Sequence, residues 1–231
     1  MLEGGQPWHL GSRVERVRAS HSYGIVLAFI GATFVFMATA PSSDWADAVL
    51  VLLQTTTLVA TLWTGGVART DSTPSLALIA LAALAALGVL VFGGTVFAAT
   101  AGILSGALTL ATIAAIALGV ADQREANAQA VLGAICVYVL LGVMFTYFYG
   151  VAARLGSGHF FAQGTDGTRP IRLYFSFVTL ATLGYGDYTP AGNLGRMLAV
   201  LEAVLGQLYL VTVIAVIVSR MRPRRREGAE K

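Results

Sequence analysis

Long apolar runs alternate with short polar breaks along this 231-residue chain. A helix needs about 20 mostly apolar residues to cross a bilayer, and six segments meet that requirement. The first runs from about Tyr23 to Ala40 and stops at Pro41. The second, about Ala46 to Ala68, is stopped by Arg69, Asp71 and Pro74. The third and fourth share Ser75 to Val120, an uncharged run too long for one span. A turn is expected near Gly93 and Gly94, which leaves about Val96 to Val120 as the fourth. The fifth is about Ala126 to Val151, the sixth about Asn193 to Ser219. Between these two, Pro170 to Pro190 is too short and too broken to span, and reads as a re-entrant segment. Such backbone survives at membrane depth only when buried in protein or facing water. The fold class expected is all-α: six transmembrane helices, with a short re-entrant helix and loop between helices five and six.

Composition supports a lipid environment. The chain is 56% hydrophobic and only 12% charged, about half the charged fraction of a soluble domain. The single cysteine, Cys136, lies in an apolar run and reads as a small packing residue. No cleavable signal peptide is evident, and the first run is expected to act as a signal anchor. Basic residues set the orientation. With both ends inside, eleven lie inside: Arg13, Arg16, Arg18, Arg69, Arg124, Arg220, Arg222, Arg224, Arg225, Arg226 and Lys231. Four lie outside: Arg154, Arg169, Arg172 and Arg196. Two basic termini on one side require an even number of spans. The re-entrant loop then opens outward, with Asp44 and Asp47. Trp45 and Trp63 fall where interfacial anchors belong.

The chemistry concentrates in Phe175 to Pro190, "FSFVTLATLGYGDYTP". Pro170 suits the start of a short helix. Tyr174, Phe175, Phe177 and Val178 give that helix an apolar surface, and it is expected to reach about Ala181. The chain then returns through Thr182, Leu183, Gly184, Tyr185 and Gly186. Two glycines spaced by one residue reach dihedrals barred to other residues. They let successive carbonyls turn to one side, alongside the Thr182 hydroxyl. One such strand is useless alone. Four around an axis make stacked rings of oxygens.

Thr182-Leu183-Gly184-Tyr185-Gly186-Asp187 resembles the filter signature of potassium channels, usually Thr-Val-Gly-Tyr-Gly-Asp. Leu183 replaces the valine at a position that contributes its carbonyl. The resemblance implies a pore helix followed by a selectivity filter. In it the carbonyls of Thr182, Leu183, Gly184 and Tyr185 replace the water around K+, with Asp187 at the outer mouth; this coordination logic is the family's own and comes with the resemblance. It further implies a homotetramer, K+ as permeant ion, no cofactor and no nucleic-acid partner. Asp187 to Gly206 looks like the mouth and inner helix of the simple two-helix bacterial channels, without a gap. Gly206 falls at the family's gating hinge; the plainer reading is a glycine that permits close packing. Gln207, Leu210, Ile214 and Val218 follow at helical spacing. By resemblance they line the cavity, Gln207 below Thr182, and supply a gate. Tyr174 matches an aromatic that braces the mouth aspartate. Relatives carry a glutamate behind the filter where this chain has Val178. Glu202, an intramembrane carboxylate and so a functional candidate, is expected to fill part of that role by bonding Ser176 or Thr179.

Six spans with a pore loop after the fifth look like the voltage-gated architecture, whose fourth helix carries arginines every third residue. Here the fourth span, "VFAATAGILSGALTLATIAAIALGV", has no charge. The first four helices are therefore expected not to sense voltage in the usual way. Their small residues (Ala82, Ala85, Ala86, Gly102, Ser105, Gly106) suit close packing in a collar. Gln54, Thr55, Thr56 and Thr57 are a polar alternative, a lipid or ligand sensor, although such residues more often bond their own helix or a neighbour. His159 is read as a solvated residue of the outer loop, with pH sensitivity as the alternative. Arg220, Arg222, Arg224, Arg225 and Arg226 end the chain as contacts to anionic lipid or as topology signals. No ligand-binding domain is expected after them.

The expected organisation is a basic cytoplasmic segment (1–22), a four-helix domain (23–121), a pore domain (122–219) and a basic cytoplasmic tail (220–231). The expected function is passive, K+-selective conduction across the inner membrane of a bacterium or archaeon. Two alternatives remain: a pore subunit of a partner-dependent transport system, and a non-conducting sensor. No nucleophile–base constellation argues for an enzyme.

Overall fold

The computed structural model describes residues 23–64, 94–121 and 128–220, together with helical positions 80, 84, 87 and 88. The described residues form six helices: α1 (Tyr23–Thr39), α2 (Asp44–Thr64), α3 (Gly94–Ala121), α4 (Ala128–Leu155), α5 (Arg169–Leu180) and α6 (Asn193–Arg220). Among the described residues, four helical stretches are long and apolar enough to cross a membrane: Asp44–Thr64, Ala99–Ala121, Ala128–Leu155 and Asn193–Val216. The apolar helix Tyr23–Thr39 is shorter, about 25 Å long at 1.5 Å per residue. The molecule is an all-helical, multi-pass membrane protein. The third expected span, with Ala82, Ala85 and Ala86, lies outside the described residues apart from the four isolated positions. So do both basic termini.

Most boundaries move by a turn or less from those the sequence predicts, and each shift has a local cause. Helix α1 stops at Thr39, just before Pro41. Helix α2 starts two residues early because Asp44 and Asp47 occupy its first turn, where carboxylates complement the helix dipole. Helix α4 runs one turn past Val151, and Arg154 in that last turn reaches back to the Gly150 carbonyl (3.5 Å).

Helix α4 is the hub: it packs on α1, α3, α5 and α6. Its N-terminal half joins Cys136, Val137 and Leu140 to Tyr23, Val26 and Ile30 of α1 and Ile116 of α3. Its other half stacks Met144, Phe145, Tyr149 and Ala153 on Phe160, Phe161 and Phe175. Small residues bring α3 close: a Cβ on Gly106 would lie 3.4 Å from the Phe148 ring, and one on Gly102 3.3 Å from Val151. Cys136 is fully buried in this contact, with Sγ 3.8 Å from the Tyr23 carbonyl oxygen.

The threonines of α2 are turned to their own helix. Thr55, Thr56 and Thr57 each donate to the carbonyl four residues back, at 2.7, 2.8 and 2.7 Å. Gln54 instead donates across to Thr109 of α3 (3.0 Å). Helix α6 is the odd one out. Between Asn193 and Val216 only Gly195, Glu202 and Gly206 are buried, and Leu194, Met197, Val200, Leu201, Val204, Leu208, Val211 and Ile214 are exposed around it.

Candidate functional site

Helix α5 and the seven residues after it, Ala181 to Asp187, form the site. Thr168 precedes the helix in extended conformation and Pro170 occupies its first turn, where a missing N–H costs nothing. The helix ends by a specific device. Thr182 N–H donates to Thr179 O (2.9 Å) and Leu183 N–H to Val178 O (2.9 Å). These are the two crossed bonds of a Schellman stop, whose pivotal residue is left-handed and usually glycine. Here that residue is Thr182, at φ 56°. It is the one non-glycine with positive φ among the described residues. A β-branched side chain there is strained by roughly 1–3 kcal/mol. Gly184 (φ 57°) and Gly186 (φ 79°) repeat the left-handed turn at every second residue, while Leu183 and Tyr185 do not adopt it. That alternation turns the intervening peptide planes the same way, where a regular strand would alternate them.

The surroundings hold this backbone from three sides. Gln207 of α6 donates to Thr182 Oγ1 (3.1 Å). Tyr174 stacks on Tyr185, with ring centroids 6.5 Å apart and planes 14° apart. The Tyr174 hydroxyl pKa is raised, first by its hydrogen bond with the Asp187 carboxylate. After the turn, Ala162 N–H donates to Thr189 O (2.8 Å) and Ala191 N–H to Phe160 O (2.8 Å). These bonds clamp the returning chain to the loop before α5.

Behind α5 lies a buried polar cluster. Glu202 of α6 has no exposed surface. The Tyr149 hydroxyl of α4 donates to its Oε2. Ser176 Oγ lies 2.5 Å from Glu202 Oε1 and 2.7 Å from the Gly142 carbonyl oxygen. A serine hydroxyl has one proton to give. Both contacts are hydrogen bonds only if Ser176 donates to Gly142 and a protonated Glu202 donates to Ser176. Thr179, the other expected partner of Glu202, instead accepts the Thr182 amide at its carbonyl.

Gly206, one turn below Glu202, is a point of closest approach. A Cβ there would lie 2.7 Å from Leu180 O and 2.8 Å from Leu180 Cδ1. Helix α6 runs through it unbroken. Leu210 is half-buried and Ile214 exposed. Val218 lies on α6 with its side chain outside the described part. Arg220 ends α6, and Arg222, Arg224, Arg225 and Arg226 lie outside the described residues. His159 is exposed, with Nδ1 3.8 Å from Asp166 Oδ1. Sequence reasoning missed Tyr149, which approaches Glu202 from 53 residues away within an aromatic-rich run that has no distinguishing spacing. It also missed Thr182's left-handed backbone, for which a Schellman stop lacking its glycine was the available signal.

A family model described as "Ion channel" matches residues 134–222, which hold α5, the turn after it and α6. These similarities support membership of the potassium channel superfamily. The family is one of ion channels, not of enzymes. Among curated relatives, "Probable potassium channel protein 2" of Methanocaldococcus jannaschii is 37% identical over 76 residues, 32% of this chain and 19% of that protein. A Rhodopseudomonas palustris protein that carries a potassium-channel name is 32% identical over 66 residues, 29% and 16% of the two chains. Protein LctB of Geobacillus stearothermophilus is 45% identical over 42 residues, 18% and 31% of the two chains. The chain thus spans less than a third of the length of each of these relatives. No solved structure matches it.

Proposed function

We propose that this chain is the subunit of a potassium-selective channel that conducts K+ passively. Four copies surround one pore, and the α5–α6 connection enters the membrane and returns to the same side. The observation that carries this reading is the alternating backbone hand of residues 182–186. It aligns peptide oxygens along one edge, and stacked oxygen rings replace an ion's hydration shell. On this reading the carbonyls of Thr182, Leu183, Gly184 and Tyr185 coordinate K+, and Asp187, braced by Tyr174, marks the mouth. Gln207, Leu210, Ile214 and Val218 face the cavity, the last three as a constriction that closes by dewetting. Residues 122–219 form the pore domain and 23–121 a collar of four helices around it. Both termini (1–22 and 220–231) lie on the cytoplasmic side of an inner membrane, where the arginines from 220 to 226 meet anionic headgroups.

Purified full-length protein in K+-loaded liposomes tests the proposal. K+ efflux without any partner, with Na+ excluded, is the expected result. Equal Na+ leakage rejects the filter, and silence rejects the channel in favour of a partner-dependent subunit or a sensor. Gly184→Ala sharpens the test. A Cβ there meets no atom of its own chain within 4 Å, and its positive φ opposes the change. Efflux is expected to fall to background, because alanine pulls residue 184 out of the left-handed region.

A further inference from the structure

At the end of the bundle where α4 finishes and α5 begins, three guanidiniums face one half-buried carboxylate, Asp47. Arg169 pairs with Asp47 of α2, and its Nη1 also donates to the Pro41 carbonyl (3.2 Å). Arg154 Nη2 lies 3.9 Å from the same Asp47. Arg172 forms no ion pair among the described residues. Its Nη1 donates to the carbonyls of Asp166 (3.0 Å) and Gly167 (2.5 Å), and its Nε is buried with no partner. The side chain is nevertheless only 9% exposed. Burial lowers its pKa to about 10, and repulsion from Arg154 and Arg169 acts in the same direction. A buried charge without a counter-charge is costly.

The helices make room for these groups. A Cβ on Gly150 would lie 3.4 Å from Arg172 Nε and 3.5 Å from Arg154 Nη1. A Cβ on Gly102 would lie 3.6 Å from Arg154 Nη1. Inside, all three arginines line a void of about 20 Å³ with Asp47 and Ser105, enough for a water-sized occupant. Outside, Arg154 and Arg172 also line an open pocket of about 630 Å³, together with Ser42, Ser157 and His159. That volume suits a small ligand. Asp166 at its edge is engaged by His159 and by the Phe160 amide (2.9 Å).

We propose that Arg154 and Arg172 bind a phosphate group in this open pocket, carried by a phospholipid headgroup or by a free oxyanion. A guanidinium fork matches phosphate oxygens two at a time. Asp47 and Asp166 both act on Arg172, so three guanidiniums meet two carboxylates, and the positive charge left over is the one the phosphate would meet. Leu155, next to Arg154 and 73% exposed, offers an apolar contact that favours the lipid form.

The test needs no ion conduction, so it stands apart from the channel reading. Full-length protein in neutral detergent is titrated with dihexanoylphosphatidylglycerol, with sodium phosphate, and with sodium chloride at matched ionic strength. Thermal unfolding and native mass spectrometry provide the readouts. At least one phosphate probe is expected to bind saturably and raise the unfolding temperature where chloride does not. The lipid acting alone identifies a headgroup site, and inorganic phosphate acting as well identifies a free-anion site. Arg154→Gln is expected to weaken binding at least about tenfold. Arg172→Lys, which keeps the charge and loses the fork, should also weaken it. Arg196→Gln removes a charge that does not line the pocket and should bind as wild type. Failure of both phosphate probes to exceed chloride overturns the proposal. So does wild-type binding by Arg154→Gln, which decides the matter even if Arg172→Lys does not fold, since Arg154 holds only a 3.5 Å contact and a 3.9 Å pair.

Discussion

Thr182 occupies a backbone position that a helix stop would ordinarily give to glycine. Thr182→Gly is therefore expected to raise stability by about 1 kcal/mol, even after allowing for glycine's larger unfolded-state entropy and the lost bond to Gln207. Thermal unfolding in detergent measures it, and a lowered unfolding temperature would show the left-handed strain to be misread. The same variant should conduct poorly, since it lacks the hydroxyl below the four carbonyls. Glu202 poses the opposite case, a residue whose neighbours depend on it. A glutamine amide can donate to Ser176 and accept from Tyr149, as a protonated carboxyl does. Glu202→Gln is expected to be nearly neutral. Glu202→Ala leaves a buried tyrosine and serine without their partner and opens a cavity, a loss of about 2–4 kcal/mol, and should also impair K+ efflux. Equal, wild-type-like stability and efflux in both variants would remove Glu202 from the support of the loop.

At the scale of elements, α5 is held by two glycines on its neighbours. Gly142 of α4 receives the Phe177 ring, where a Cβ would lie 2.6 Å from a ring carbon. Gly206 of α6 receives the last residue of α5. The two readings of Gly206 differ in the sign of one measurement. A hinge glycine in a helix gains about 1 kcal/mol when changed to alanine, from propensity alone. A glycine in close contact loses about 1–3 kcal/mol through overpacking. The 2.7 Å approach to the Leu180 carbonyl, which is backbone and cannot turn aside, favours the loss. Gly206→Ala is expected to lower the unfolding temperature and to disturb the bond between Gln207 and Thr182. A raised unfolding temperature with altered opening would restore the hinge.

For the whole molecule, α6 presents apolar side chains on most of its circumference while packing on α4 and α5 along one narrow face. Such a helix is buried in a larger assembly or in lipid. Four chains per particle is the expected mass of the purified complex. Helix α3, at the place of a fourth span, contains no Asp, Glu, Lys or Arg. Moving one charge through the membrane field is worth about 2.3 kcal/mol per 100 mV, so an uncharged helix gains nothing directly. Opening is expected to depend weakly on voltage in planar-bilayer recordings. A steep dependence with several gating charges per subunit would overturn that expectation.

Apolar run length announced α1, α2, the fourth-span helix α3, α4 and α6, because a bilayer imposes one length and one composition on every spanning helix. The Thr182 to Asp187 motif marked the turn after α5, because only glycine at alternate positions permits that backbone cheaply. Run length could not show which helix would be the hub, since apolar residues facing lipid and facing protein look alike in sequence. Pairings across the chain were equally hidden: Tyr149 with Glu202, Asp47 with Arg169, and the crowding of Arg154 and Arg172. They join residues from 18 to 122 positions apart. Only packing the helices together determines which polar groups, once shut away from water, must satisfy one another.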